Sequence, residues 1–354
     1  MNSKLSNIDI FLDRTSSLLN ISKSKVQELF RPNGLKAFRL NGINFYNLNI
    51  EETRIEIEKI LDELDTLGVA IKPISFCEYG YSFPAEQTQL LTSSKAFLDG
   101  NIFIQNPSSW LPVLLMELSS EQKIIDMCSA PGGKAMHVAT LFGELPTMVE
   151  SKQHRFNRLI QSLNESGFSI NKDNSKLVNA DGKHLTSLLS LDENGNIVLS
   201  ANSGVADQGN QIADIVMVDA ECSNEAGINF LDRGDPLKGW SLKRVEECAR
   251  LQTQLLTSAY KLTKPGGQII YSTCTLSPEE NEMVVSEVIK RVDAKGGKLE
   301  VVPNDIFIDG RLSPVRSWKG NNFSKEVSNN VTRIIPGHNN LFDGFCVTKL
   351  VRTI

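Results

Sequence analysis

Along residues 51–68 the apolar positions return at helical intervals. EETRIEIEKILDELDTLG sets Ile55, Ile57, Ile60, Leu61 and Leu64 among charged residues and closes on Gly68. The spacing predicts an amphipathic helix with those five side chains inward and the glycine at its end. Residues 7–30 carry Ile8, Ile10, Phe11, Leu18, Leu19, Val26 and Leu29 at similar intervals, broken by serine-rich turns, which predicts two short helices. AFRLNGINFYN and GVAIKPISF read as strand-like pieces on either side of the amphipathic helix. A helix on a few strands makes a small α+β module over residues 1–95.

From residue 124 the rhythm becomes strand and helix in alternation. KIIDMCSA, PTMVES, SKLVNAD, DIVMVDA, QIIYSTC, KLEVVP and GFCVTKLVR read as strands. Between them GGKAMHVATLFG, QHRFNRLIQSLNESG, the long SLKRVEECARLQTQLLTSAYKLTKPGG and SPEENEMVVSEVIKRV read as helices. Helices of this length between strands imply an α/β domain over residues 96–354, a mainly parallel seven-stranded sheet covered on both faces. The polar stretch LDENGNIVLSANSGVADQGNQ, residues 191–211, reads as an inserted hairpin or loop. Ligands of such sheets sit at the carboxyl ends of the strands. Ser129 to Lys134, Glu150, Asp181, Asp219 to Cys222, and Cys274 all fall there.

The composition narrows the partners. The 354 residues have a net charge of -5, so there is no global pull toward nucleic acid. A local one exists: Lys4, Arg14, Lys23, Lys25, Arg31, Lys36 and Arg39 stand against Asp9, Asp13 and Glu28 in residues 1–45. The six cysteines, at 77, 128, 222, 248, 274 and 346, form no CxxC pair and no cluster with histidine, which argues against a disulfide framework or a structural zinc. A reduced, cytoplasmic protein is expected, with a monomer favoured. No apolar run approaches the length of a membrane span and no signal or transit peptide is evident.

DMCSAPGGKAMHVA is a Gly-Gly turn between a buried strand and a helix, where free helix N–H groups can meet a ligand. It matches neither the dinucleotide fingerprint nor the P-loop. Glu150 after the second strand could grip a ribose, and Asp181 after the third an adenine amino group. The ordered set describes a pocket for adenosine without a phosphate chain, and S-adenosylmethionine is the candidate. Cys222 and Cys274 end adjacent strands over one cleft. A thiolate can attack C6 of a pyrimidine and make C5 carbanion-like, ready for a methyl group. A second group must then remove the C5 proton, and an acid near N3 absorb charge. Asp219, Cys222 and Cys274 could supply these roles. Cys77, Cys248 and Cys346 read as small buried hydrophobes.

Together DMCSAPGGKAMHVA, VDAECS, LQTQLLTSAYKLTKPGGQIIYSTCTLSPEENE and DGFCVTKL, with QNPSSWLPVLLMEL upstream, resemble the Nop2/Sun family of RNA 5-methylcytosine methyltransferases over residues 100–352. The resemblance implies a class I, Rossmann-like S-adenosylmethionine-dependent domain acting on cytosine C5 of rRNA or tRNA, with no membrane or DNA partner expected. Carried over, Cys274 is the nucleophile and Cys222 assists proton removal and release. Cys128, Ser129, Ala130, Pro131, Gly132, Gly133 and Lys134 form the cofactor loop, with Glu150, Arg155 and Asp181 completing the cofactor site. Asp219 lies between cofactor and base, oriented by Lys134. The chain departs from the family's Asp-Ala-Pro-Cys-Ser-Gly by carrying Glu221 for the proline and Asn224 for the glycine. Proline fixes φ and Glu does not, and a charge beside Cys222 would disfavour its thiolate.

The N-terminal module resembles the family's small RNA-binding extension, and Arg311, Arg316, Lys319 and Lys325 are further candidate RNA contacts. Two other readings stand beside this one. The first is a catalytically weakened RNA-binding relative acting as an assembly factor, motivated by Glu221. The second is a nicotinamide oxidoreductase, disfavoured by the missing GxGxxG.

Overall fold

The structure, a computed structural model, describes residues 6–42, 48–119, 121–172, 174, 176–199, 211–232, 234–304, 310–312, 314–337 and 341–354. The two short helices are present. Helix α1 (Asn7–Leu19) opens on a capping box in which Ser6 and Asp9 satisfy each other's backbone N–H groups, and Ser22 caps α2 (Lys23–Leu29). Their apolar faces turn to the far half of the chain: Phe11, Leu12, Leu19, Val26 and Phe30 pack with Ile228, Leu237, Trp240, Val245 and Leu276.

A four-stranded antiparallel sheet follows, built from β1 (Leu35–Leu40), β2 (Lys72–Ile74), β3 (Cys77–Pro84) and β4 (Ile102–Ile104) in the order β2-β3-β1-β4. Helix α3 (Ile50–Thr66) lays Ile60 and Leu64 on Phe38, Leu40 and Phe83 of this sheet, with the short α4 (Thr88–Thr92) and α5 (Lys95–Leu98) closing the core through Leu91 and Ala96. Ile57 packs partly against the same core, but Ile55 is 42% exposed. Two residues apart on a helix means about 200° around it, so both cannot face inward. The second half of AFRLNGINFYN, residues 43–47, lies outside the described residues. Strands β3 and β4 went unpredicted. Gly80 breaks the apolar alternation of β3 because a Cβ there would stand 2.5 Å from the Trp110 ring.

After α6 (Leu111–Leu114) the alternating half runs β5 (Ile124–Asp126), α7 (Gly133–Phe142), β6 (Thr147–Val149), α8 (Gln153–Glu165), β7 (Leu177–Val178), the hairpin β8 (Leu189–Leu191) and β9 (Ile197–Leu199), β10 (Ala213–Asp219), α9 (Leu242–Leu262), β11 (Thr263–Thr273), α10 (Glu282–Asp293), β12 (Leu299–Val302), the hairpin β13 (Ser317–Trp318) and β14 (Asn321–Asn322), α11 (Lys325–Asn330), β15 (Thr332–Ile334) and β16 (Phe345–Arg352). The sheet order is β12-β16-β11-β10-β5-β6-β7, with β7, β6, β5, β10 and β11 parallel and β16 antiparallel to its neighbours. This is the mainly parallel α/β arrangement expected from the alternation, and the class I, Rossmann-like one that the resemblance implies. An eighth strand joins it: β15 pairs with Phe345–Val347 of β16 while β12 pairs with Lys349–Arg352, so two short strands divide one edge. Three residues of TRI are too few for a period to show. The inserted stretch forms the β8–β9 hairpin, and its residues 200–210 lie outside the described set. Among the described residues no helix is long and apolar enough to cross a membrane.

Candidate active site

Strand β5 ends at Asp126, and the chain turns through Cys128 to Gly132 into α7. A cis Ala130–Pro131 bond and Gly132 at φ 109° make the turn, and no side chain caps the helix N-terminus. Its first N–H groups are thus left for a ligand. Cys128, Ser129, Ala130, Pro131, Gly133, Lys134 and Asp219 line a cavity of about 270 Å³ with Phe103, Ile104, Gln105, Ser109 and Asp126. A Cβ on Gly133 would come within 2.9 Å of both Phe103 and Gln105. The buried Gln105 Oε1 has no hydrogen-bond partner. An uncapped helix end for a carboxylate and an orphaned acceptor for an ammonium group fit the amino-acid end of S-adenosylmethionine. Burial pushes the Asp126 carboxyl up to about 7 and raises the Cys128 thiol well above its ordinary value.

Glu150, Arg155 and Asp181 do not line this cavity. Glu150, buried after β6, accepts from the Lys152 backbone N–H at 2.9 Å and pairs with Arg155 Nε at 3.4 Å. Arg155 also donates to the Ala130 carbonyl at 2.6 Å, so it ties the acid to the loop. Asp181 caps the turn Gly182–Ser187 through the Lys183 N–H and pairs with Lys183 Nζ at 3.1 Å. Gly132 packs instead against α8, where a Cβ would meet Leu159 at 2.9 Å.

Adjacent strands bring the catalytic candidates together. Cys222 Sγ and Cys274 Sγ are 2.7 Å apart, both free thiols. The Cys222 thiol is raised well above its ordinary value by its hydrogen bond to Cys274, then by burial, then by the charges of Cys274 and Glu280. Asp219 accepts from Lys134 Nζ at 2.6 Å and from Ser272 Oγ at 2.7 Å, and Lys134 Nζ lies 5.5 Å from the centre of the Phe345 ring. A second cavity of about 270 Å³ opens at Cys274, lined by Ser108, Ser109, Asn224, Asp343 and Phe345 among others. Ser109 belongs to both cavities, which sets Cys274 beside the cofactor loop.

The expectation that Glu221 sits as a charge against Cys222 is corrected. One of its oxygens takes Lys152 Nζ at 2.5 Å and the other takes Arg244. Burial opposes ionisation, yet the hydrogen bonds from Lys152 and Arg244 outweigh it and hold the carboxyl below its ordinary value. The carboxylate that bears on Cys222 is Glu280, which the sequence reading left without a role. Asn224, in place of the family's glycine, adopts φ 57° and ψ 48°. That left-handed conformation suits glycine first and tolerates asparagine best among the rest. Its Oδ1 also accepts from Cys274 Sγ at 3.4 Å.

SPEENE works as three clamps. Glu280 receives the Ser223 N–H at 3.0 Å and Gln252 Nε2 at 2.9 Å, holding the Cys222 loop, and burial lifts its carboxyl to about 7. Glu279 grips the two terminal guanidinium nitrogens of Arg14 at 3.0 and 2.7 Å. Glu282 forms a buried fork with Arg333 at 2.9 and 2.7 Å. Asp343, lining the Cys274 cavity, was also unassigned. Burial raises it to about 6, and Asn33 donates to it at 2.9 Å. The N-terminal basic patch is smaller than its residue count. Arg14 is held by Glu279, Arg39 is buried, Lys23 pairs with Asp13 and Lys25 with Glu28, while Lys4 lies outside the described residues.

Comparison with known proteins places the chain in a family. The profile of the family described as 16S rRNA methyltransferase RsmB/F matches residues 113–351. The tRNA (cytosine(49)-C(5))-methyltransferase of Pyrococcus abyssi is 30% identical over 303 residues, 83% of this chain and 83% of that protein. Ribosomal RNA small subunit methyltransferase F of Vibrio campbellii is 28% identical over 243 residues, which is 67% of this chain but only 45% of that longer protein. Among solved structures, a methyltransferase homolog from Pyrococcus horikoshii superposes with a TM-score of 0.71 at 22% identity, over 98% of this chain and 95% of that one. NSun6 from Pyrococcus horikoshii, solved with SFG, gives 0.69 at 21%, over 99% and 98%. These two likenesses are of fold. Motifs, topology and sequence match converge, and the chain belongs to the 16S rRNA methyltransferase RsmB/F family.

Proposed function

We propose that the chain is an RNA cytosine-C5 methyltransferase that works through a covalent bond from Cys274 to C6 of the target base. The observation that carries this is the contact of Cys222 and Cys274 at 2.7 Å, one cavity away from the uncapped α7 N-terminus. S-adenosylmethionine, when bound, would supply the electrophilic methyl group. Cys128 to Lys134 would hold its amino-acid end, with Glu150 and Asp181 meeting its adenosine and Arg155 bracing the loop.

In the Cys274 cavity the thiolate sulfur forms a bond to C6, and the ring electrons move toward C5. Asp219, held by Lys134 and Ser272, would carry a proton to N3 and so neutralise the charge that builds there. Once methylated, C5 still carries a proton that must leave before the C6–S bond can break. Cys222, whose sulfur is 2.7 Å from that of Cys274, would take it. Cys222 gives up its own thiol proton to solvent before it acts as that base, and the electrons of the C5–H bond then expel Cys274 as its thiolate.

The same proposal gives residues 1–95 an RNA-binding role, makes residues 96–354 the catalytic domain, and sets the reaction on cytoplasmic rRNA or tRNA with the cytosine flipped from its stack. The test is tritiated methyl transfer from S-adenosylmethionine to separated rRNA and tRNA pools lacking the modification. Label on cytosine C5 that disappears in Cys274→Ala, with a trapped RNA adduct in Cys222→Ala, is expected. No transfer to either pool with cofactor binding intact would overturn the proposal.

A further inference from the structure

Among the described residues two arginines stand at 1% exposure, Arg39 and Arg333, and they are treated very differently. Arg333 has the Glu282 fork and the Leu276 carbonyl. Arg39, on β1, has no carboxylate. It donates to the Gly133 carbonyl at 2.7 Å and to Thr140 Oγ1 at 3.3 Å, and its guanidinium lies 5.2 Å from the centre of the Phe103 ring. Its Nε is buried without a partner. Burial lowers it to about 9, so it remains charged at neutral pH.

An uncompensated charge in the interior is expensive, and removing its neighbours' water gives it a long reach. Two of the three groups it touches, Gly133 and Phe103, line the cofactor cavity, and the third, Thr140, does not. The uncapped N-terminus of α7 opens on the same wall, so two sources of positive potential meet there. Adenosine and a sulfonium centre offer them nothing negative. The amino-acid end of S-adenosylmethionine does.

We propose that Arg39 is the counter-charge for the carboxylate of the bound cofactor, a positioning residue that the N-terminal sheet supplies and that acts through Gly133 and Phe103. This rests on the reading that the cavity takes S-adenosylmethionine. It makes docking of the N-terminal sheet and cofactor binding one linked equilibrium.

The test is calorimetric binding to the full chain of two probes, S-adenosylhomocysteine and 5′-methylthioadenosine, which shares the nucleoside and thioether but lacks the amino-acid end. Arg39→Gln is expected to weaken S-adenosylhomocysteine about tenfold and to leave 5′-methylthioadenosine unchanged. Arg39→Lys, which keeps the charge, should retain the wild-type ratio of the two affinities. Equal loss of both probes in Arg39→Gln assigns the residue a packing role and overturns the proposal, as does loss of neither. If glutamine at 39 prevents folding, the ratio in Arg39→Lys decides, and its loss overturns the proposal. Wild type binding neither probe overturns the cofactor reading itself and the proposal with it.

Discussion

Glu221 and Lys152 meet at 2.5 Å, and the second oxygen of the same carboxylate takes Arg244. The residue before Cys222 is thereby held from two sides, by the loop after β6 and by the first turn of α9, where proline would have held it through its own ring. Glu221→Ala should free both cations. The pairs are partly exposed, so stability should fall by no more than about 1 kcal/mol. The larger effect is expected in release: protein–RNA adducts on a denaturing gel should accumulate relative to wild type, and Glu221→Pro should bring them back down. Unchanged adduct levels in Glu221→Ala would show that the bracket does not position Cys222.

Asn224 should behave as a backbone residue first. Asn224→Gly keeps the left-handed conformation and should stay within about 0.5 kcal/mol of wild type in urea unfolding. Asn224→Val should lose about 1–2 kcal/mol, because a β-branched side chain is strained at φ 57°. Equal stability of the two variants would contradict this.

Glu280 gives a pH signature. Its folded value, about 7, lies above the ordinary carboxylate range, so the folded state binds the proton more tightly. Its contribution is complete below about pH 4.5 and is lost as pH rises through 7. Asp126, also raised to about 7, works in the same direction. The melting temperature should therefore carry a downward slope between pH 5 and 7.5, shallower in Glu280→Gln than in wild type. An unchanged slope would place the titration elsewhere.

Arg333→Met should be among the more damaging single changes outside the cleft. It strands Glu282, which is 0% exposed, without its fork, and loss of one partner of such a pair costs about 3–5 kcal/mol. Chemical denaturation of Arg333→Met and of the double variant Arg333→Met/Glu282→Leu checks this, the double being expected to recover much of the loss.

What could be read from the sequence follows from how each signal is made. The strand ends carrying Gly133, Asp219, Cys222 and Cys274 were visible because polar or reactive residues directly follow apolar runs, and the parallel topology does the rest. The partner of α1 was not visible, since a 3.6-residue period says that Phe11 is inward but not toward what. It meets Trp240 edge to face at 5.2 Å, a contact no local pattern encodes. Arg39 looks like the polar half of a strand alternation in AFRL, and only the approach of α7 buries it. Glu279, Glu280 and Glu282 read as acids at a helix start; that they clamp three separate segments depends on Arg14, Ser223 and Arg333 arriving from elsewhere. Asn224 did carry a usable signal, because asparagine in a glycine position already points to φ above zero.

The clasp of Arg14 by Glu279 also sets an order in time. The two are 265 residues apart, so on a ribosome adding about 5–20 residues per second α1 emerges tens of seconds before its seat exists. Through that interval Phe11, Leu12 and Leu19 have no docking surface, and the nascent chain presents an amphipathic helix to the cell. Vectorial synthesis thus asks more of chaperones than refolding of the finished chain, in which both halves of the clasp are present from the first instant.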